Sequence, residues 1–461
     1  MNDVTAKNTV VDEKGETAQP ALPPIEDKLS AKNISTHKKM LPNCKSAGTA
    51  YCTSLKAIIE EVVDLKEIEK IDCPLPLLPS SHPSPPFNIT FKHETYELEC
   101  FPEEAGEFIV CFGVATNQEK HVFQCTLLVN PDPKTLWKNI PSSQDGDYAK
   151  PDHDIRFLAC GDKLSIVAAS QRGRSHAQEG KPRDDDFSLH WDNESACAIL
   201  AVADGAGSAK FSRKGSQIAS LTALETAKGK LDSEFWAELS PAIQKYIGNG
   251  DTSTKKYIQN KLYTLVESAW EAKAKIKAEA ENHEKKFFEM YHKQEAITAR
   301  DYATTLILTV AKKIDGSWFI ATYWVGDGGM GIYSKNAEKV LIQGLPDSGE
   351  YGGQTRFLTE GSPEVWPQGE DAAEKLLAKR IRFDVVNAFD AVLLMTDGIT
   401  DPKFETDNNL NSQAKWDELW EDLKREVPFE KRDESVANAL LKWMDFWSPG
   451  NHDDRTMIVF Y

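Results

Sequence analysis

Hydrophobic and polar positions change rhythm twice along the chain. From about residue 156 onward, uninterrupted apolar runs recur: "LSIVAAS", "ACAILAVA", "TTLILTVAKK", "WFIATYWVG", "AVLLM" and "TMIVF". Runs of this length without polar alternation predict strands covered on both faces. Between them, "SQIASLTALETAKGKL" follows a glycine-rich turn and predicts a helix. A longer helix is predicted over about 255–292, with Ile258, Leu262, Leu265, Ala269 and Ile276 on one face and the Lys/Glu run "KAKIKAEAENHEKK" on its solvated side. "KWDELWEDLKREV" and "SVANALLKWMDFW" predict two more. Upstream, "FNITFKHETYELECF", "EFIVCFGVAT" and "HVFQCTLLV" are short β-rich runs split by polar turns. Before them the chain is polar and ends in the proline-rich "CPLPLLPSSHPSPPF".

These rhythms predict four segments. Residues 1–85 read as a mostly disordered arm, with one short helix at 54–71 that could equally be transient. Residues 86–135 read as a small β-sandwich of immunoglobulin-like type, and 136–155, most of it in the turn-rich "NPDPKTLWKNIPSSQDGDYAKPDHD" of 130–154, as a linker. Residues 156–461 form an α+β domain.

Composition narrows the function. A net charge of −18 argues against a nucleic-acid partner, because a phosphate backbone requires a basic face. No run of about 18 apolar residues is present, so no membrane span is expected. The N-terminus lacks a basic-then-apolar leader, which makes the cytoplasm the expected location. The eight cysteines contain no C-x-x-C pair and are expected to be reduced, mostly buried thiols, not zinc ligands.

The chemistry sits where strands stop. "ACAILAVADGAGS" carries Asp204 and Gly205, "WFIATYWVGDGGMGIY" carries Asp327, "AVLLMTDG" carries Asp397, and "GNHDDRTMIVF" places Asp453 and Asp454 before the last strand. "PRDDDF" adds Asp184, Asp185 and Asp186. Asp-Gly is a common turn dipeptide and occurs five times here, so any one of these pairs reads as a turn. Several acidic strand ends meeting at one edge would repel each other unless a cation sits among them. Oxygen donors without matching His or Cys suit Mg²⁺ or Mn²⁺. Two such ions can bind a phosphoryl group and activate water. No G-x-S-x-G elbow, C-x₅-R loop or G-x-x-x-x-G-K-[ST] loop competes. "LLMTDGITD" echoes the haloacid dehalogenase strand, but that chemistry needs D-x-D and here Met395 precedes Asp397 by two.

The ordered set "GRSHAQEGKPRDDDF", "VADGAGSAKFSRKGS", "DYATTLIL", "YWVGDGGMGIY", "LLMTDGITD" and "HDDRTMIVF" resembles the metal-dependent serine/threonine phosphatases of type 2C, in a divergent bacterial branch. The resemblance covers 156–461. It implies two antiparallel sheets packed face to face, flanked by helices, with two Mn²⁺ or Mg²⁺ ions and a weaker third at one end. It assigns Asp204 as the carboxylate shared by two ions, with the Gly205 carbonyl beside it. Asp397 and Asp453 are implied as further ligands, Asp185 (with Asp184) as a ligand largely through water, and Asp327 as a ligand of the third ion. It implies phosphorylated proteins as substrates, by analogy those of a Ser/Thr kinase.

The sequence also departs from the family. Its third motif commonly reads Gly-Asp-Ser-Arg; here it is "GDGG", without the arginine. The family's phosphate-binding arginine has Arg174 and Arg183 as candidates; Arg183 could instead pair with Asp184–Asp186. His176 reads either as proton donor to the leaving oxygen or as a structural histidine. "GLPDSGEYGGQTRFL", residues 344–358, reads as a flap carrying Glu350 and Thr355. The β-rich segment suggests a protein-binding role. The alternative to an active enzyme is a catalytically weak phosphoprotein-binding module of the same fold.

Overall fold

The computed structural model describes residues 34–75, 85–335, 337–347 and 355–461. The chain divides into two units, Met1–Pro133 and Lys134–Tyr461.

In the first unit, β1 (Ile34–Met40), β2 (Tyr51–Ser54), α1 (Lys56–Glu60) and β3 (Ile68–Asp72) precede β4 (Ile89–Lys92), β5 (Glu97–Cys100), β6 (Gly106–Thr116) and β7 (Lys120–Val129). They form a sheet ordered β1-β7-β6-β3 and a smaller one ordered β2-β5-β4. One core joins them: Leu41, Leu55 and Ile59 pack with Leu98, Phe112 and Phe123. The expected arm therefore does not extend to residue 85. Residues 34–72 supply three strands and the only α-helix of the β unit among the described residues, and a β unit starting at 86 would lack part of its own core. The helix expected over 54–71 is cut to one turn or so. Asp64 caps a following 3₁₀ turn by accepting from the Lys66 N–H, and β3 then pairs with β6. Residues 1–33 and 76–84 of the expected arm lie outside the described residues.

The second unit opens with a strap. Residues expected to be a linker lie against it: the Ile140 N–H bonds the Ala177 carbonyl, the Ser143 N–H bonds that of Gly180, and the Trp137 ring meets His452 at 4.4 Å. Then follow β8 (His153–Cys160), β9 (Leu164–Gln171), α2 (Arg174–Glu179), β10 (Asp186–Asp192) and β11 (Cys197–Ala203). Four helices come next: α3 (Ser212–Lys230), α4 (Ser233–Asn249), α5 (Thr252–Lys261) and α6 (Tyr263–Tyr291). The single helix expected over 255–292 is thus two. β12 (Leu306–Ile314), β13 (Ser317–Val325), β14 (Gly329–Tyr333) and β15 (Leu341–Gly344) lead to α7 (Ala372–Arg380), β16 (Ile381–Val386) and β17 (Ala391–Met395). α8 (Asp397–Phe404), α9 (Gln413–Glu426), α10 (Ser435–Trp443) and β18 (Arg455–Phe460) complete it.

The strands build two antiparallel sheets, ordered β10-β11-β12-β13-β16 and β15-β14-β17-β18-β9-β8. Alternation along each strand explains the uninterrupted apolar runs. On β11, Ala198, Leu200 and Val202 face the other sheet, meeting Ile166, Ala168 and Ile458. Ile199, Ala201 and Ala203 face outward under α3 and α6, against Ala219, Ala223 and Leu265. On the second sheet Leu393, Met395, Met457 and Val459 are covered by α9 and α10 through Trp416, Leu419 and Leu440. Both faces are buried, so neither needs polar residues. All eight cysteines are unpaired thiols. Among the described residues no helix is long and apolar enough to cross a membrane.

Candidate metal centre

Register alone brings the aspartates together. Asp186 pairs with Ala203, so Asp185 and Asp204 leave adjacent strands at the same end. In the second sheet Met395 pairs with both Gly329 and Met457, and Arg455 pairs with Gln171. Asp327, Asp397 and Asp453 each lie two residues beyond those pairs, at one edge. Asp327 sits where the chain passes from β13 in one sheet to β14 in the other.

The glycines after the aspartates serve close approach more than turning. A Cβ on Gly205 would lie 2.6 Å from the Asp184 carbonyl oxygen, and one on Gly398 would collide with the Asp454 carbonyl. Asp204 is held on both sides: its N–H donates to Thr305 Oγ1 (2.9 Å), and its carbonyl accepts from Thr304 Oγ1 and the Thr305 N–H (2.8 Å each).

Carboxylate oxygens of Asp204, Asp327 and Asp397 lie within 4.8 Å of one another. Asp185 stands beside them, accepting from Thr396 Oγ1 at 2.8 Å. Thr355, on the segment expected as a flap, donates to Asp327; residues 348–354, with Glu350, lie outside the described residues. Burial, and after it the charge of neighbouring acids, raises every acid of the group. Asp204 rises well above the carboxylate range under burial and the charges of Asp397, Asp185 and Asp327. Asp397 rises through burial, Asp327 and Asp453. Asp185 is pushed up to about 7, by burial first and by Asp454 second. Asp401, one turn further along α8, rises to about 6 through burial and Asp327.

Among the described residues, no Lys, Arg or His nitrogen forms an ion pair with Asp185, Asp204, Asp327, Asp397 or Asp453. The cations nearby are engaged by Asp184 and Asp454. One oxygen each of Asp185, Asp327 and Asp397 is buried without a hydrogen-bond partner. Oxygen donors alone, orphaned lone pairs and uncompensated repulsion are the features a hard divalent cation would satisfy.

The neighbouring acids are differently served. Asp454 accepts from the Gly173 N–H (2.6 Å), from the Asp184 N–H and from His176 Nδ1 (3.0 Å). Burial opposes its charge, but His176 and these N–H groups hold it below the usual range. Burial likewise opposes the His176 charge, but Asp454 and Asp184 outweigh it and push the imidazole up to about 9. With Nδ1 on Asp454 and Nε2 3.5 Å from Asp184, His176 has the contacts of a structural ion pair.

The two arginine candidates are not in the cleft. Arg183 is 2% exposed. Its guanidinium donates to the Pro151 carbonyl (3.2 Å), Ser170 Oγ (2.8 Å) and the Asp185 carbonyl (2.8 Å), and lies 3.9 Å from Asp186. Its Nη2 lies 3.6 Å from Asp154, and burial of the whole side chain favours pairing over a phosphate-binding role. Arg174 is tied to Asp445 at 2.5 Å and lies over the Trp447 ring. The cation that does face the acids is Arg213, in the first turn of α3, with Nε 3.3 Å from Asp184 Oδ1 and the side chain one-fifth exposed. It lies within "SAKFSRKGS", where an arginine beside Lys210 and Lys214 gave no signal of its own.

Residues 172–445, more than half of the chain, match the family described as Protein phosphatase 2C. The chain therefore belongs to that family and is a phosphoprotein phosphatase of the serine/threonine class. No curated protein matches the chain. Among solved structures, serine/threonine phosphatase Stp1 from Staphylococcus aureus is 15% identical, with 67% of this chain and 98% of that one covered and a TM-score of 0.34. The Mycobacterium tuberculosis serine/threonine phosphatase PstP/Ppp is 16% identical, covering 64% and 97%, with a TM-score of 0.35. The catalytic domain of PstP in complex with 2 manganese ions is 15% identical, covering 67% and 98%, with a TM-score of 0.31.

Proposed function

We propose that the chain hydrolyses phosphoserine and phosphothreonine in proteins at a divalent-metal centre made by Asp185, Asp204, Asp327, Asp397 and Asp453, with the Gly205 carbonyl beside Asp204. The observation that carries this reading is the convergence of three carboxylates within 4.8 Å, with orphaned oxygens and no basic partner. Manganese is the ion named with the PstP catalytic domain. When bound, Mn²⁺ or Mg²⁺ supplies Lewis acidity toward a phosphoryl oxygen and toward water.

The chain's own residues do the rest. Thr304 and Thr305 fix the Asp204 backbone, so that its carboxylate is presented from a strand end with little freedom. The His176–Asp454 pair locks the loop before β18 to the loop after β9. Arg213, whose one ion pair among the described residues is with Asp184, is assigned to the substrate phosphate. Phosphorylated proteins, those of a Ser/Thr kinase among them, are the proposed substrates, and the cytoplasm the proposed location. The β unit of residues 34–129 is the proposed protein-binding part. The test is release of phosphate from phosphoserine and phosphothreonine peptides by the full chain with Mn²⁺ or Mg²⁺. Turnover that stops with EDTA is expected; phosphopeptide binding without turnover in either metal would leave only the binding-module reading.

A further inference from the structure

Lys150 precedes the segment matching the family and sits in a stretch whose sequence reads as linker, yet it is 5% exposed. An ammonium has three N–H donors and no acceptor. Here three acceptors surround it: the Asp185 carbonyl at 2.6 Å, Asp186 Oδ2 at 2.9 Å and the Arg213 carbonyl at 3.4 Å. Burying a charge is costly unless such a shell is complete. The Asp185 carbonyl accepts from a second buried cation, Arg183 Nη1, at 2.8 Å. Two cations thus converge on the peptide group of one acid in the cluster, and one of them also holds the first turn of α3, which carries Arg213. The same turn is tied to Asp184 by the Ser216 hydroxyl.

We propose that Lys150 is a positioning residue of the centre: from the strap, it fixes the Asp185 peptide and the α3 first turn so that the Asp185 carboxylate and the Arg213 guanidinium stay aimed at one pocket. This rests on the metal-centre reading given above. Lys150 touches none of the reacting atoms and acts through the backbone it holds. Its role resembles that of the groups behind any metal ligand, whose loss typically weakens metal affinity about 10- to 100-fold.

The test uses the full-length chain stripped of metal, with Mn²⁺ binding followed by titration calorimetry and turnover of a phosphopeptide measured in parallel. Lys150→Met removes the donors and keeps the bulk. Its Mn²⁺ dissociation constant is expected to rise about tenfold or more and kcat to fall, with melting followed by circular dichroism to show that the fold is kept. Lys150→Arg keeps the charge with a different reach and is expected to show a rise of about threefold. If Lys150→Met does not fold, Lys150→Arg decides on the same measurement. Unchanged Mn²⁺ affinity in the folded variants overturns the proposal. So does tighter binding in Lys150→Met, which would mean that Lys150 acts only by through-space repulsion of the ion. Should the unsubstituted chain bind no Mn²⁺, the metal reading itself falls and takes the proposal with it.

Discussion

Two groups of carboxylates lie side by side at one end of the sandwich, and they differ in whether a cation reaches them, although burial and Asp454 raise Asp184 of the second group as well. Asp185, Asp204, Asp327 and Asp397 face each other without a cation and are all driven toward the protonated form. Asp184, Asp186 and Asp454 are met by His176, Arg213, Lys150 and Arg183 within 4 Å. The family could have neutralised both groups or neither. Withholding compensation from one group alone makes it a site, because its electrostatic debt is settled only by something that arrives from solution.

The contrast can be broken most strongly at its uncompensated half. Asp204→Asn and Asp397→Asn are each expected to lower kcat/KM on the order of a thousandfold. In EDTA the same changes are expected to raise the melting temperature by about 2 °C, since each removes a repelling charge. Loss of activity with a lower metal-free Tm would mean that these acids support the fold instead. On the compensated half the sign reverses. Asp454→Asn leaves the His176 charge with Asp184 alone and is expected to cost about 3 kcal/mol, seen as a Tm roughly 4 °C lower with or without metal.

A pH series sharpens the same comparison. Asp185 has a folded pKa of about 7, above the ordinary value near 3.9 of an unfolded chain. A raised acid stabilises the protein fully below the unfolded pKa and loses that contribution as pH climbs through the folded one. Metal-free protein is therefore expected to lose stability between about pH 4 and pH 7, and Mn²⁺ to restore it at the upper end; equal melting at pH 5 and pH 8 in EDTA would contradict this. The smallest effect belongs to Arg213→Ala. It is expected to raise KM for a phosphopeptide about tenfold while shifting Tm by only about 1 °C, because its pair with Asp184 is partly exposed. A changed Mn²⁺ requirement with unchanged KM would move Arg213 from the substrate to the ion.

How much of this could be read beforehand depended on whether a residue's partners were local. The strands of the second unit were legible because both their faces are buried, leaving long apolar runs such as Ala391–Met395. The acids were legible as strand ends, and register did the rest. β1 was not: "ISTHKKM" exposes every second residue and buries none fully, so it reads as polar coil until its pairing with β7 is known. α4 carries Pro241 in its interior, a residue that argues against helix, while Trp236, Leu239 and Ile243 hold it in place from the core. Lys150 was the least legible, and of Arg183 only its pairing with the adjacent acids could be read. Their roles come from acceptors on other segments, and a basic residue among prolines and aspartates has no local pattern that marks it as buried.

β18 sits in the interior of its sheet, between β17 and β9, and the loop before it delivers Asp453 and Asp454. A ribosome makes that strand after all the others of this unit. Until it has emerged and inserted, β17 and β9 have open edges, the His176 lock has no partner, and one wall of the pocket is missing. A chain that stops short of β18 therefore lacks Asp453 and Asp454 and is expected to leave the pocket unassembled, whatever the state of the preceding strands.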